Sequence, residues 1–228
     1  MNYRHREKRI QAWRLFLAFP RSVWVNFRLL PWSQARKLPI FISNNTKIDS
    51  LSGKIILNCD KPRIGLVKIG FGVYQGTSWR HDQTRLNIRG TFVIGGNCKT
   101  GAGSSLEVAE GATFTVGDEF NIGPRSLVIC HKEMTFGRGV RISWCCTMMD
   151  SDQHDLVDLE GKVVNPDRAI VFGDNIWMGC NVIVTKGVQL PSNTTVAAGA
   201  RLSGRYDEQY TVLSGNPAVV VRRGVKRN

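Results

Sequence analysis

From Phe172 to Leu202 the chain places an apolar residue at every sixth position: Phe172, Met178, Val184, Leu190, Val196 and Leu202. Helical patterns repeat near 3.6 residues and strand patterns near two, so neither accounts for this step. A solenoid does, with each flat face one short strand and each corner a tight turn. The residues following the anchors are small or turn-prone: Gly173, Gly179, Thr185, Pro191, Ala197 and Ser203. A second inward row holds Ile176, Val182, Val188, Thr194 and Ala200. The pattern predicts an all-β fold, a hexapeptide-repeat parallel β-helix in which each repeat buries its face only against its neighbours.

The same phase runs upstream through Ile88, Ile94, Thr100, Leu106 and Ala112. A better local fit then begins at Val116 and Ile122, and the pattern resumes at Phe136 and Ile142. These slips of four and two residues make one full repeat, as corner insertions would. The run DSDQHDLVDLEGKVVNPDR is too polar for a wall strand and is expected as a loop extruded at about 149–169. Long loops in compact folds commonly carry function. The expected organisation is a basic, aromatic-rich helical extension over 1–38, irregular strands and a loop over 39–85, the β-helix over 86–203, and a C-terminal tail over 204–228. At three faces of six residues per coil, the regular part makes about six to seven coils.

Charge changes the picture at one end. Of the net +13, residues 1–38 contribute nine Lys/Arg against the single acid Glu7. They also hold Trp13, Phe16, Phe19, Trp24, Phe27 and Trp32. Ile10, Trp13, Phe16 and Leu17 share one side of a helix expected to stop near Pro20, and Trp24, Phe27 and Leu30 suit a second short one. Two compatible roles follow: a cap on the open end of the solenoid, or a peripheral anchor on an anionic membrane. The apolar stretch near Leu15–Phe19 is too short for a membrane span and carries Arg14 beside it, so neither a span nor a cleaved leader is expected. The six cysteines lack paired CxxC spacing, which points to reduced thiols in a cytoplasmic protein, with Cys145 and Cys146 as one surface and one buried thiol. No metal is expected, and nothing resembles a nucleic-acid reading module, so no nucleic-acid partner is expected.

Of the four histidines, His5 lies in the basic tail and His81 in a polar loop. His131 follows Val128-Ile129-Cys130 at a corner and is a candidate to line a site. His154 stands out by its neighbours. If the segment leaves the wall extended, Asp150, Asp152 and His154 share one side. A carboxylate beside an imidazole fixes its tautomer and stabilises the imidazolium it becomes. The bland alternative is an acidic surface loop with an incidental histidine.

The runs ISWCCTMMDSDQH (142–154), VFGDNIWMGCNVIVTKGVQLPSNTTVAAGARL (171–202) and SGNPAVVVR (214–222) resemble the hexapeptide-repeat acyltransferases, most of all bacterial O-acetyltransferases of capsule, exopolysaccharide and lipopolysaccharide synthesis. The resemblance covers about Leu86 to Arg222. It implies a left-handed β-helix, a homotrimer with the active site between subunits, acetyl-CoA as co-substrate and a sugar or oligosaccharide acceptor. His154 matches the family's catalytic base, with Asp152 beside it. Trp177 and Gly179 match positions at the thioester end of the donor, and an amide near Gly179 is the implied oxyanion donor. Ala198 and Ser203 match coenzyme A contacts along the coil edge. Arg222 matches a cation near the nucleotide phosphate, Lys186 a corner facing the cofactor, and Arg205 stands in for a family lysine absent at Gly204. Arg125, His131, Trp144 and Asp150 are the candidate acceptor-binding residues. Where galactoside- and maltose-type relatives hold the sugar with an asparagine, this chain reads Ile122-Gly123-Pro124-Arg125, so their specificity does not transfer.

Competing functions are an amino-sugar N-acetyltransferase, a γ-class carbonic anhydrase and a non-catalytic scaffold. The carbonic anhydrase needs three zinc-binding histidines, and His131 and His154 lack its spacing. A scaffold does not need the DSDQH loop together with the donor-edge residues.

Overall fold

The computed structural model describes residues 3–74 and 76–227, with side chains of the first helix described from Ala12 onward. The inward rows become short strands, and each pairs in parallel with strands one turn before and after it. Three sheets result. Sheet A holds nine strands from Ile40–Ile42 onward, sheet B seven from Thr46–Ser50, and sheet C six from Lys54–Leu57. Sheet A closes on an antiparallel pair, Thr211–Gly215 against Ala218–Arg223.

The six-residue anchors from Phe172 to Leu202 are at most 3% exposed, and the second row from Ile176 to Ala200 at most 1%. Inside the solenoid, Phe92, Phe114, Phe136 and Phe172 stack up successive rungs with centroids 5.0, 5.7 and 4.7 Å apart. Such contacts add to the area each ring removes from water. The corners turn where the chain enters the left-handed region, with Asn175, Asn181 and Asn193 at φ of 56°, 56° and 61°. Asparagine tolerates that region better than other residues with a side chain.

The sheets begin well before Leu86, because the strands between Ile40 and Gly72 are the first rungs of sheets A, B and C rather than an irregular lead-in. The period hides them: Val67 pairs with Cys98, 31 residues on, whereas Trp177 pairs with Thr195, 18 residues on. The two slips farther along are corner insertions, since Leu106 pairs with Val128 and Val128 with Met148. The polar run leaves sheet B after Met149 and rejoins the wall in sheet C at Ile170.

At the other end, α1 (Tyr3–Leu29) is one helix running through Pro20, not two, and α2 (Trp32–Ala35) follows. Proline removes one helical hydrogen bond. Docking on the first coil holds the helix together across that point. The Ser22 hydroxyl donates to the Ala18 carbonyl (2.7 Å) and accepts from the Ile42 amide (3.0 Å). The Asn26 side chain donates to the Ile40 carbonyl (2.7 Å) and accepts from its amide (3.0 Å). Buried Arg14 donates to the carbonyls of Phe71 (2.9 Å) and Gly70 (3.0 Å). Helix α1 therefore covers the free edge of sheet A, as a solenoid end requires.

Candidate active site

Two corners carry the predicted residues. At the corner between sheets B and C, Thr147–Met149 ends and the chain turns. That turn breaks strand alternation, so Asp150 and Asp152 do not share a side. Asp150 is fully buried. Its carboxylate accepts from the amides of His131 (2.7 Å), Lys132 (2.9 Å) and Glu133 (2.8 Å), and Cys130 Sγ lies 3.6 Å away. This is an anchor for the preceding coil's corner, not an acceptor contact. A buried charge is tolerated when hydrogen bonds replace its hydration.

Asp152 faces outward, 2.6 Å from Lys186 Nζ, and accepts from Asn165 Nδ2 at 2.9 Å. Lys186 followed by Asn165 holds its carboxyl below the usual carboxylate range. Asn165 also donates to the His154 carbonyl at 2.8 Å, and Lys186 Nζ to the Asn165 carbonyl. One part-buried lysine thus ties both ends of the loop. The His154 imidazole is exposed, and Asp152 pairs with Lys186 rather than with it. His131 lies 3.6 Å from Glu107, part-buried, with Nε2 lacking a hydrogen bond among the described residues.

The corner between sheets A and B is built differently. Gly179 is required there sterically, because a Cβ would come 2.6 Å from the Ala198 amide. Its own N–H donates to the Val196 carbonyl (2.8 Å), so the oxyanion donor expected near it must be another amide. Trp144 and Trp177 are each 44% exposed and line one groove of about 550 Å³ with Tyr74, Lys99, Arg141 and Arg227. Tyr74 packs on Trp144 at 5.8 Å. Arg125 turns away to a bidentate pair with Asp82 (3.1 and 3.2 Å). Burial pushes the Cys146 thiol beneath this corner up to about 11, while Cys145 is only part-buried.

Ala198 and Ser203 fall on different corners of one coil, Ala198 beside Gly179 and Ser203 past the end of the sheet B strand Arg201–Leu202. Arg205 pairs with Asp207 at 2.7 Å, and Arg222 is exposed on the closing hairpin. Sequence reasoning missed Asn165 and the groove cations. A signal existed for part of them. Residues just before the sheet A anchors point outward, and in this register Lys99, Asn121, Arg141 and Trp177 form one row up the sheet.

No protein-family profile matches the chain. A Klebsiella pneumoniae protein described as an uncharacterized 24.8 kDa protein in a cps region is 28% identical over 140 residues, 61% of this chain and 62% of that one. A Saccharomyces cerevisiae protein named as a candidate acetyltransferase is 32% identical over 69 residues, 29% of this chain and 35% of that one. The chain thus spans less than two thirds of the length of either relative. Among solved structures, the polySia-specific acetyltransferase NeuO superposes with a TM-score of 0.53 at 19% identity, over 80% of this chain and 82% of that one. The fold is the left-handed parallel β-helix of the hexapeptide-repeat acetyltransferases.

Proposed function

We propose that the protein is an acetyl-CoA-dependent O-acetyltransferase acting on a sugar hydroxyl of a surface polysaccharide, as a homotrimer. The carrying observation is the separation of two incomplete half-sites. The His154 loop leaves the B/C corner, whereas the open groove lined by Trp144 and Trp177 lies on sheet A. Side-by-side packing of three solenoids sets one protomer's loop against the next one's groove. The cps region of the Klebsiella relative and the polySia acceptor of NeuO support a polysaccharide substrate.

In this reading the His154 imidazole takes the proton of the acceptor hydroxyl as its oxygen attacks the thioester carbonyl. The collapsing intermediate expels the coenzyme A thiolate, which recovers that proton from the imidazolium. No covalent enzyme intermediate is needed when both substrates are bound in line. Asp152 is a positioning residue: clamped by Lys186 and Asn165, it fixes the backbone that presents His154. Trp177 and Ala198 flank the thioester end, Ser203 contacts the coenzyme from its own corner, and Arg222 meets a phosphate. The test is thiol release from acetyl-CoA with surface-glycan oligosaccharides. An acetyl product released by mild base is the expected ester; a base-stable amide makes the protein an N-acetyltransferase instead.

We also assign the outer face of α1 to an anionic membrane surface. The helix turns a mixed face inward, with Ala18 and Val25 fully buried, and keeps large aromatics on its outer side. Arg14, Ser22 and Asn26 face the solenoid, while Trp13, Phe16, Trp24 and Phe27 are 42–69% exposed on the opposite side. The basic excess of residues 1–38 supplies the complementary charge. No described helix is long and apolar enough to cross a membrane.

A further inference from the structure

The outward row of sheet A departs from an ordinary solvated wall. Lys68, Lys99, Asn121, Arg141 and Trp177 occupy successive rungs. Above the last of these, the C-terminal segment folds back, tied by the Val225 amide to the Tyr210 carbonyl (3.0 Å), and brings Arg227 into the same groove wall as Arg141. Arg227 Nη1 is buried without a hydrogen-bond partner among the described residues. Among the described residues lining the groove the one carboxylate, Glu119, reaches Arg141 at 3.9 Å. The two guanidiniums share this wall, one with a buried nitrogen, and repel each other, an effect that Glu119 offsets only in part. Burial, then the Arg141 charge, accordingly hold the Arg227 guanidinium below its ordinary pKa.

We propose that this groove binds an acidic glycan, with a sugar carboxylate held between Arg141 and Arg227 and pyranose rings laid on Trp144 and Trp177. Guanidinium and carboxylate match as planar, bidentate partners. The C–H face of a pyranose is apolar and packs flat on an indole, while its hydroxyls reach the Asn97 and Asn121 amides. Rungs repeat at ~4.8 Å, so Lys99 stands roughly 10 Å below Arg141, about one disaccharide along the axis. A second carboxylate of a polyanionic chain meets it there. A neutral hexose offers no anion to any of the three cations.

This inference rests on the transferase reading only in taking the groove as the acceptor's side, and its test does not need turnover. The intact protein is titrated calorimetrically with a hexuronic-acid tetrasaccharide, with the same tetrasaccharide after carboxyl reduction, and with coenzyme A. The acidic form is expected to bind about tenfold or more tightly than the reduced one. The double variant R141Q/R227Q, checked for an unchanged melting temperature, should erase that preference and leave coenzyme A affinity intact. Equal binding of acidic and reduced forms overturns the proposal. So does a double variant that loses coenzyme A instead, because the cations then serve the donor's phosphates. Preferential binding of the acidic form without any transfer from acetyl-CoA upholds the site and sinks the acetyltransferase reading.

Discussion

The two corners of one coil use charge in opposite ways. Between sheets B and C both carboxylates are consumed by the protein itself, Asp150 by three amides and Asp152 by Lys186 and Asn165. Along sheet A, Arg141, Lys99 and Arg227 surround half-exposed indoles, and one guanidinium nitrogen has no hydrogen-bond partner among the described residues. Satisfied charge builds a rigid support for a loop, whereas unsatisfied charge marks a surface that waits for something. The residues that look most catalytic in sequence belong mainly to the support, and those that look like wall decoration belong to the waiting surface.

The strongest way to break this contrast is Asp150→Ala. It strips three part-buried amides of their acceptor, a fully buried carboxylate, and should cost about 3 kcal/mol, read as a large fall in melting temperature. A near-neutral result would mean that water replaces the carboxylate and the corner is not anchored by charge. His154→Ala tests the loop as cargo rather than support: transfer should drop ~100-fold or more with folding and coenzyme A binding unchanged. Undiminished turnover would remove His154 from the mechanism.

Lys186→Met sharpens the distinction. It should lower kcat about tenfold, leave the KM for acetyl-CoA nearly unchanged and speed exchange of the Leu156 amide, which bonds to Asn165 Oδ1 at 2.6 Å. A rise confined to that KM would return Lys186 to the cofactor. The pH dependence has a definite sign. Because the folded-state pKa of Asp152 is depressed, its contribution is full above the ordinary carboxylate range and is lost as pH falls through the lowered value. Loop protection should therefore outlast mild acid in the wild type and be indifferent to it in Lys186→Met. The smallest effect concerns α1. Replacing Trp13, Phe16, Trp24 and Phe27 by serine should abolish flotation with phosphatidylglycerol vesicles while preserving the melting temperature. The wild-type attachment, at about 1 kcal/mol per basic residue, should fade with salt. Retained flotation, or a loss of trimer instead, assigns the stripe elsewhere.

The late coils were legible because nothing interrupts their eighteen-residue turns, so each inward anchor repeats in phase. The first coils were not, since turns as long as that from Val67 to Cys98 erase the period while leaving the pairing intact. Within the site, His154 and its loop were readable from polarity against an apolar background. The inward turn of Asp150 was not, because alternation holds only while the chain stays in a strand and this one leaves at Met149. Ala198 and Ser203 were expected along one edge, yet five residues in a six-residue repeat carry the chain nearly a full face farther. Pairs such as Lys186 with Asp152, or Arg125 with Asp82, join distant segments and leave no local trace.

Asn26 has a consequence beyond holding a helix. Its amide gives Ile40 one donor and one acceptor, the two bonds a further peptide group would supply. It therefore acts as a chain terminator for the sheet. A stack of parallel rungs has no intrinsic length and, left open, would recruit the ladder of another molecule and grow into a fibre. With that mimic at one end and the Thr211–Arg223 hairpin folded back at the other, growth of sheet A along the axis is closed off.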